Sequence, residues 1–167
     1  MYNIYNWVDI VKNLDSPSKI SLIKSSDFHH QLKDYVYKFQ LTIGIPETDL
    51  LMFSNLTTLS CYDCPNITNI TNVEKLVNLT TLYCRCCRNI TNVEKLVNLT
   101  RLDCGFCPNI TNVEKLVNLK TLDCSNCLNI TNVEKLVNLK ELYCWICPKI
   151  TNVTKQLLKS RNVKVYG

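Results

Sequence analysis

Eleven residues, NITNVEKLVNL, recur unchanged at 69–79, 89–99, 109–119 and 129–139, a period of twenty. No other feature of the chain restricts its fold as much. A twenty-residue unit cannot enclose a core of its own, so copies must stack and each must cover the next. An earlier copy of the segment that follows begins at Leu56, twenty-three residues ahead of its successor, because Asn-Ile-Thr is duplicated across 66–71.

The rest of each unit reads L-x-x-L-x-C-x-x-C-x-x-I, from Leu56, Leu59, Cys61, Cys64 and Ile67 to Leu139, Leu142, Cys144, Cys147 and Ile150. Leu82 and Cys84 alternate with Thr81 and Tyr83, the period-2 pattern of a short strand with one buried face. Such strands bury that face by stacking in parallel about 4.8 Å apart. The return half opens with Thr91-Asn92-Val93-Glu94, repeated at Thr71, Thr111 and Thr131, the spacing of a capping box. Val93, Leu96, Val97 and Leu99 then predict an inward stripe on a single helical or 3-10 turn. The last copy has Thr154 where the others have Glu. Beyond it Leu157, Leu158, Val163 and Val165 predict a closing cap, with 162–166 as a final edge strand.

The unit resembles the leucine-rich repeat in its cysteine-containing variety, with Cys at the sixth position, where the family usually has Leu, and Cys again at the ninth. The resemblance covers about two-thirds of the chain. It implies an α/β solenoid: a right-handed array with a parallel β-sheet on the concave face and short helical or 3-10 turns on the convex face. The expected organisation is a helical segment over 1–54, five repeats over 55–153 and a C-terminal cap over 154–167. The expected role is that of a protein-protein interaction module that holds a macromolecular partner on the strand face, with no cofactor.

Five C-x-x-C pairs, 61/64, 84/87, 104/107, 124/127 and 144/147, are a zinc signal in isolation. Within the repeat both cysteines fall at inward positions, where free Cys acts as a small buried hydrophobe. Two stacked thiol columns are therefore expected ahead of a metal site or disulfides, and no metal-binding residue is assigned. Cys86, the eleventh cysteine, is off register, expected on the exposed strand face and open to oxidation or to cross-linking a dimer.

Charge is uneven. Residues 1–54 hold five Lys against six acidic residues, and 55–167 hold fourteen Lys and Arg against eight. Lys75, Lys95, Lys115 and Lys135 each follow a Glu, which balances much of this locally. With no basic run or reading motif, the pattern argues against a nucleic-acid partner. No window is apolar for the ~18 residues of a membrane span, and the N-terminus has no leader-like stretch. The sequence therefore predicts a soluble, intracellular, cytoplasmic protein, in the host cytoplasm if the chain is viral. His29 and His30 are the only histidines, there are three glycines, and neither G-x-S-x-G nor a P-loop occurs, so no enzyme is expected.

The copies are identical in the return half and differ in the strand half, so variation falls on one surface. The partner-binding residues expected there are Tyr62, Asp63, Tyr83, Arg85, Arg101, Asp103, Phe106, Asp123, Asn126, Glu141, Tyr143, Trp145 and Ile146. Thr58, Ser60, Thr81, Cys86, Gly105, Thr121 and Ser125 complete the expected outward set. Aromatic residues and Arg dominate interface hot spots, which favours binding over drift of redundant copies.

Residues 1–54 lack the repeat. Ile4, Trp7, Val8, Ile10, Val11 and Leu14 form one amphipathic segment, Asp15-Ser16-Pro17-Ser18 a break, Ile20, Leu22 and Ile23 a second segment, and 27–41 a third. Three helices ahead of the array predict an N-terminal cap. WVDIVKNLDSPSKISLIKSS is also similar to a degenerate F-box, although the opening Leu-Pro is absent. That resemblance implies a substrate adaptor of a cullin-type ubiquitin ligase, with Trp7, Val8, Ile10, Val11, Leu14, Ile20, Leu22 and Ile23 engaging a Skp-family linker. The Asn/Ile/Lys-rich repeats look like those of giant DNA viruses. The alternative is a structural or decoy repeat protein without a ligase role.

Overall fold

The computed structural model describes residues 38–40 (as strand backbone), 56–61, 76, 78–91 and 93–167. Seven three-residue strands form one parallel sheet in chain order. They are β1 Lys38–Gln40, β2 Thr58–Ser60, β3 Thr81–Tyr83, β4 Arg101–Asp103, β5 Thr121–Asp123, β6 Glu141–Tyr143 and β7 Lys164–Tyr166. Each strand pairs in register with the next, so Leu59, Leu82, Leu102, Leu122, Leu142 and Val165 form one column. The sheet is unclosed, with one rung per repeat, which is the leucine-rich-repeat solenoid the sequence implies.

The core is a set of such columns. Leu82, Cys84, Cys87, Ile90, Val93, Leu96 and Leu99 are all buried, and so are their counterparts one and two rungs on. From Cys84 to Leu102 the inward residues fall every third position, and a single step of two along the strand completes the rung. Six steps of three and one of two make twenty, which is the period of the sequence. Hydrogen bonds from residue i+3 back to residue i build most of these corners: Cys87 N to Cys84 O at 3.1 Å, Leu96 N to Val93 O at 3.0 Å and Leu99 N to Leu96 O at 3.0 Å. The return half is thus a chain of tight corners, with one-turn 3-10 helices at Val93–Lys95 and Val133–Lys135.

That geometry corrects two expectations. Val97, expected inward from a helical period of 3.6, is 48% exposed, because a three-residue period turns residue i+4 outward. The capping box does not form at Thr131. Asn132 precedes that turn in the left-handed conformation, φ 58°, with no side-chain cap. Glu114, the equivalent one rung earlier of the Glu134 expected to close that box, meets Lys135 of the next rung at 2.6 Å. Thr151, which lacks the downstream Glu, does cap a helix, accepting from Thr154 N at 3.2 Å.

That helix, α1 Asn152–Ser160, closes the array by burying Leu158. It ends in a Schellman arrangement, with Asn162 N donating to Lys159 O at 3.0 Å and Val163 N to Leu158 O at 3.1 Å. Asn162 takes the required left-handed φ of 62°. It therefore belongs to the cap, and the final strand starts at Lys164 where 162 was expected. Leu157, expected inside the cap, is 40% exposed.

At the other end, β1 lies within the third segment expected to be helical, 27–41. Lys38–Gln40 pairs with Thr58–Ser60 and covers the free edge of the first rung. The alternation of Tyr37, Phe39 and Leu41 is the signal that the helical reading passed over. The remaining segments expected to be helical, including Trp7, Val8, Ile10, Val11, Leu14, Ile20, Leu22 and Ile23, lie outside the described residues.

Candidate interaction face

In three-residue strands the middle Leu points inward, which leaves the first and third residues on the outer face. Two ladders result. One runs Thr58, Thr81, Arg101, Thr121, Glu141 and Lys164, and the other Ser60, Tyr83, Asp103, Asp123, Tyr143 and Tyr166. The second ladder places two carboxylates between tyrosines.

Arg85, just past β3, neutralises that acidic centre. Its Nη1 lies 3.2 Å from Asp123 Oδ2 and 3.9 Å from Asp103 Oδ1, and its guanidinium sits 5.1 Å from the Phe106 ring centre. Arg101 covers Tyr83 at 5.7 Å, and Tyr143 stacks on Tyr166 with ring centres 4.6 Å apart. Glu141 meets Lys164 at 3.8 Å. A notch of about 110 Å³ opens among Arg101, Asp103, Thr121, Asp123 and Tyr143. Partial burial raises the Asp103 pKa, and the Asp123 charge adds to this, against the opposing Gly105 N–H and the two arginines.

Phe106, Asn126 and Ile146 lie at the loop edge beyond the strands, with Cys86, and all four have left-handed backbones at φ 61°, 62°, 55° and 63° respectively. In the first three of these rungs this conformation aims the N–H at the next rung: Cys86 N to Gly105 O at 2.9 Å, Phe106 N to Ser125 O at 2.8 Å, Asn126 N to Trp145 O at 2.7 Å. They form a rim and not, as expected, part of the strand face. Trp145, Ile146 and Phe106 are the prominent apolar members there, at 58%, 70% and 44% exposure.

Two residues of the expected outward set are buried. Ser125 is only 5% exposed and donates its N–H to Asp123 Oδ1 at 2.9 Å, and Gly105 lies beneath the Arg85 guanidinium. Tyr62 and Asp63 lie outside the described residues. Tyr166 and Lys164 extend the face by one strand and were missed. The alternation of Val163 and Val165 carried the signal, because it sets Lys164 and Tyr166 outward.

Among the described residues both cysteine columns are buried, and none of the ten cysteines is in a disulfide. In four of the pairs the second thiol donates to the carbonyl of the first cysteine one rung earlier: Cys87 to Cys61 O at 2.6 Å, and Cys107 to Cys84 O, Cys127 to Cys104 O and Cys147 to Cys124 O, each at 3.0 Å. Cysteine thus serves here as a small buried side chain that also bonds a buried backbone acceptor. Contact with the next rung's thiol, reinforced by burial, holds Cys84, Cys104 and Cys124 well above the usual thiol pKa. Among the described residues no three His, Cys, Asp or Glu side chains converge as a metal site would require. No described helix is long and apolar enough to cross a membrane.

No family model and no curated protein matches the chain. Similar solved structures include two internalins of Listeria monocytogenes. Internalin C2 is 19% identical, with a TM-score of 0.48 over 67% of this chain and 62% of its own. Internalin F is 17% identical, with a TM-score of 0.44 over 74% of this chain and 47% of its own. This chain thus spans less than two-thirds of either. The geometry of the rungs themselves defines the class: a solenoid of leucine-rich-repeat type whose variable side chains gather on one face.

Proposed function

We propose that the protein is a non-enzymatic binding module that holds a protein partner across the outer strand face and its rim. Tyr83, Arg85, Arg101, Asp103, Asp123, Glu141, Tyr143 and Tyr166 form the floor, and Phe106, Asn126, Trp145 and Ile146 the rim. One observation carries the reading: the side chains that differ between otherwise identical rungs include the large exposed Phe106, Trp145 and Ile146, which flank a polar floor. Aromatic anchors beside charged groups are the composition of binding hot spots. Tyr62 and Asp63 are the expected continuation of the face.

The test compares partners captured by the intact chain with those captured by two variants of equal stability. Tyr143→Ala with Trp145→Ala removes anchors from the proposed face, and Val137→Ser with Lys135→Ala alters the opposite side. Loss of a stoichiometric partner with the first pair only supports the reading. Retention by both, or loss with the second only, defeats it and leaves a structural or decoy role.

The finer form of this proposal gives residues 1–54 the F-box role, with a Skp-family linker as second partner and the cytoplasm as the site of action. It rests on the motif in WVDIVKNLDSPSKISLIKSS. If the full chain retains no Skp-family protein from eukaryotic lysate while Trp7→Ala and Leu14→Ala change nothing, the adaptor role falls and the strand-face proposal stands.

A further inference from the structure

The cysteine columns close differently at the C-terminal end. Inner thiols such as Cys107 and Cys127 are followed by another repeat, whereas Cys147 is followed by α1 and β7. It stands in the wall of an open groove of about 570 Å³ between the last corner and the start of α1, with Leu128, Ile146, Pro148, Ile150 and Lys155. The Cys147 Sγ lies 4.0 Å from the Cys124 Sγ of the preceding rung. The two thiols are in contact, and Cys147, at 6%, is the most exposed of the described column cysteines.

We infer that Cys124 and Cys147 form a peroxide-reactive dithiol, a modification site that hydroperoxides convert into an inter-rung disulfide at the C-terminal end of the array. The Cys147 thiolate attacks one peroxide oxygen. The O–O bond breaks, the sulfur becomes a sulfenic acid, and the leaving hydroxide takes the thiol's proton as water. The Cys124 sulfur then attacks the sulfenic sulfur, the S–O bond breaks, and a second water leaves with the remaining proton. Two thiols have lost two electrons, and one hydrogen peroxide has become two waters.

The chemistry of the groove supports the first step. The Cys147 pKa is lowered to about 7 through its contact with the Cys124 thiol, the backbone N–H groups of Cys127 and Asn126, and the Lys155 charge, against the effect of burial. Cys124 is held well above the usual range, so the attacking and resolving roles are assigned by environment. Closing the bond brings the sulfurs from 4.0 Å to about 2.05 Å and gives up the Cys147 bond to Cys124 O.

The experiment treats the reduced full chain with hydrogen peroxide, blocks remaining thiols and maps cross-links by mass spectrometry. The expected result is a Cys124–Cys147 linkage, lighter by two hydrogens, forming ahead of any other intramolecular pair, with that preference lost when the peroxide is added to the chain unfolded in urea. In Cys124→Ala, dimedone should trap sulfenic acid on Cys147. Intramolecular links that join other cysteines first, or a Cys147 that stays reduced while Cys86 oxidises, would overturn the inference. Because the linkage is mapped in the unaltered chain, the result does not depend on how well the variant folds.

Discussion

The Arg85 guanidinium reaches Asp123, two rungs away, at 3.2 Å, and it does so by crossing the intervening rung at Gly105. A Cβ at Gly105 would lie 3.0 Å from Arg85 Nη1 and 3.2 Å from its Cζ. The missing side chain therefore leaves the guanidinium room to lie close over the intervening rung. Arg85→Met with Asp123→Asn should give a coupling of about 0.2–1 kcal/mol in a urea double-mutant cycle, the range for partly exposed pairs. In a Gly105→Val background the coupling should vanish, and a coupling that persists there would refute the route.

Ile146 occupies the left-handed region at φ 55° and is 70% exposed. A β-branched residue is poorly suited to that conformation, and little packing compensates. Replacement by Asn, the residue at the equivalent position 126, should stabilise the protein by about 1 kcal/mol. Asn126→Ile should destabilise it by a similar amount. Urea midpoints check both.

Asp103 provides a pH signature. Its pKa is raised in the folded state, so folding makes proton release less favourable there. The stability linked to this group is present below the unfolded carboxylate pKa and is lost as pH rises through the higher folded value. Asp103→Asn should remove that dependence while keeping an oxygen to accept the Gly105 N–H, now at 3.2 Å. The difference in stability between variant and wild type should grow in the variant's favour from acid to neutral pH. A difference that is flat, or of opposite slope, would contradict the assignment.

The constant segment also has a ladder of its own. Asn118 Nδ2 donates to Val97 O at 3.0 Å, and Asn138 Nδ2 to Val117 O at 2.9 Å. Asn138→Asp replaces a donor by an acceptor facing a carbonyl. It should cost about 0.5–1.5 kcal/mol, more at neutral than at acid pH. Thermal unfolding at two pH values measures this.

Much of this was legible in the sequence because repetition turns a weak local pattern into a strong one. Leu82, Leu102 and Leu122 announce their column through spacing alone, and the C-x-x-C pairs read as core once their phase against those leucines is set. The corner geometry was harder to read. Val93, Leu96, Val97 and Leu99 satisfy a helical stripe, and only the hydrogen bonds show a period of three that turns Val97 out. The face was legible as a set of positions but not as contacts. Nothing in spacing says that Arg85 skips a rung, that Ser125 sinks beneath the surface, or that Tyr166 stacks on Tyr143. Those depend on side-chain volume at neighbouring rungs.

The face assignment depends on the cysteine columns pointing inward, and native-state thiol labelling tests that most directly. In a maleimide time course read by mass spectrometry, Cys86 should react readily and Cys147 more slowly. Cys84, Cys87, Cys104, Cys107, Cys124, Cys127 and Cys144 should be protected until the array unfolds. Labelling of those seven at the rate of Cys86 would place the columns on the surface and contradict the account.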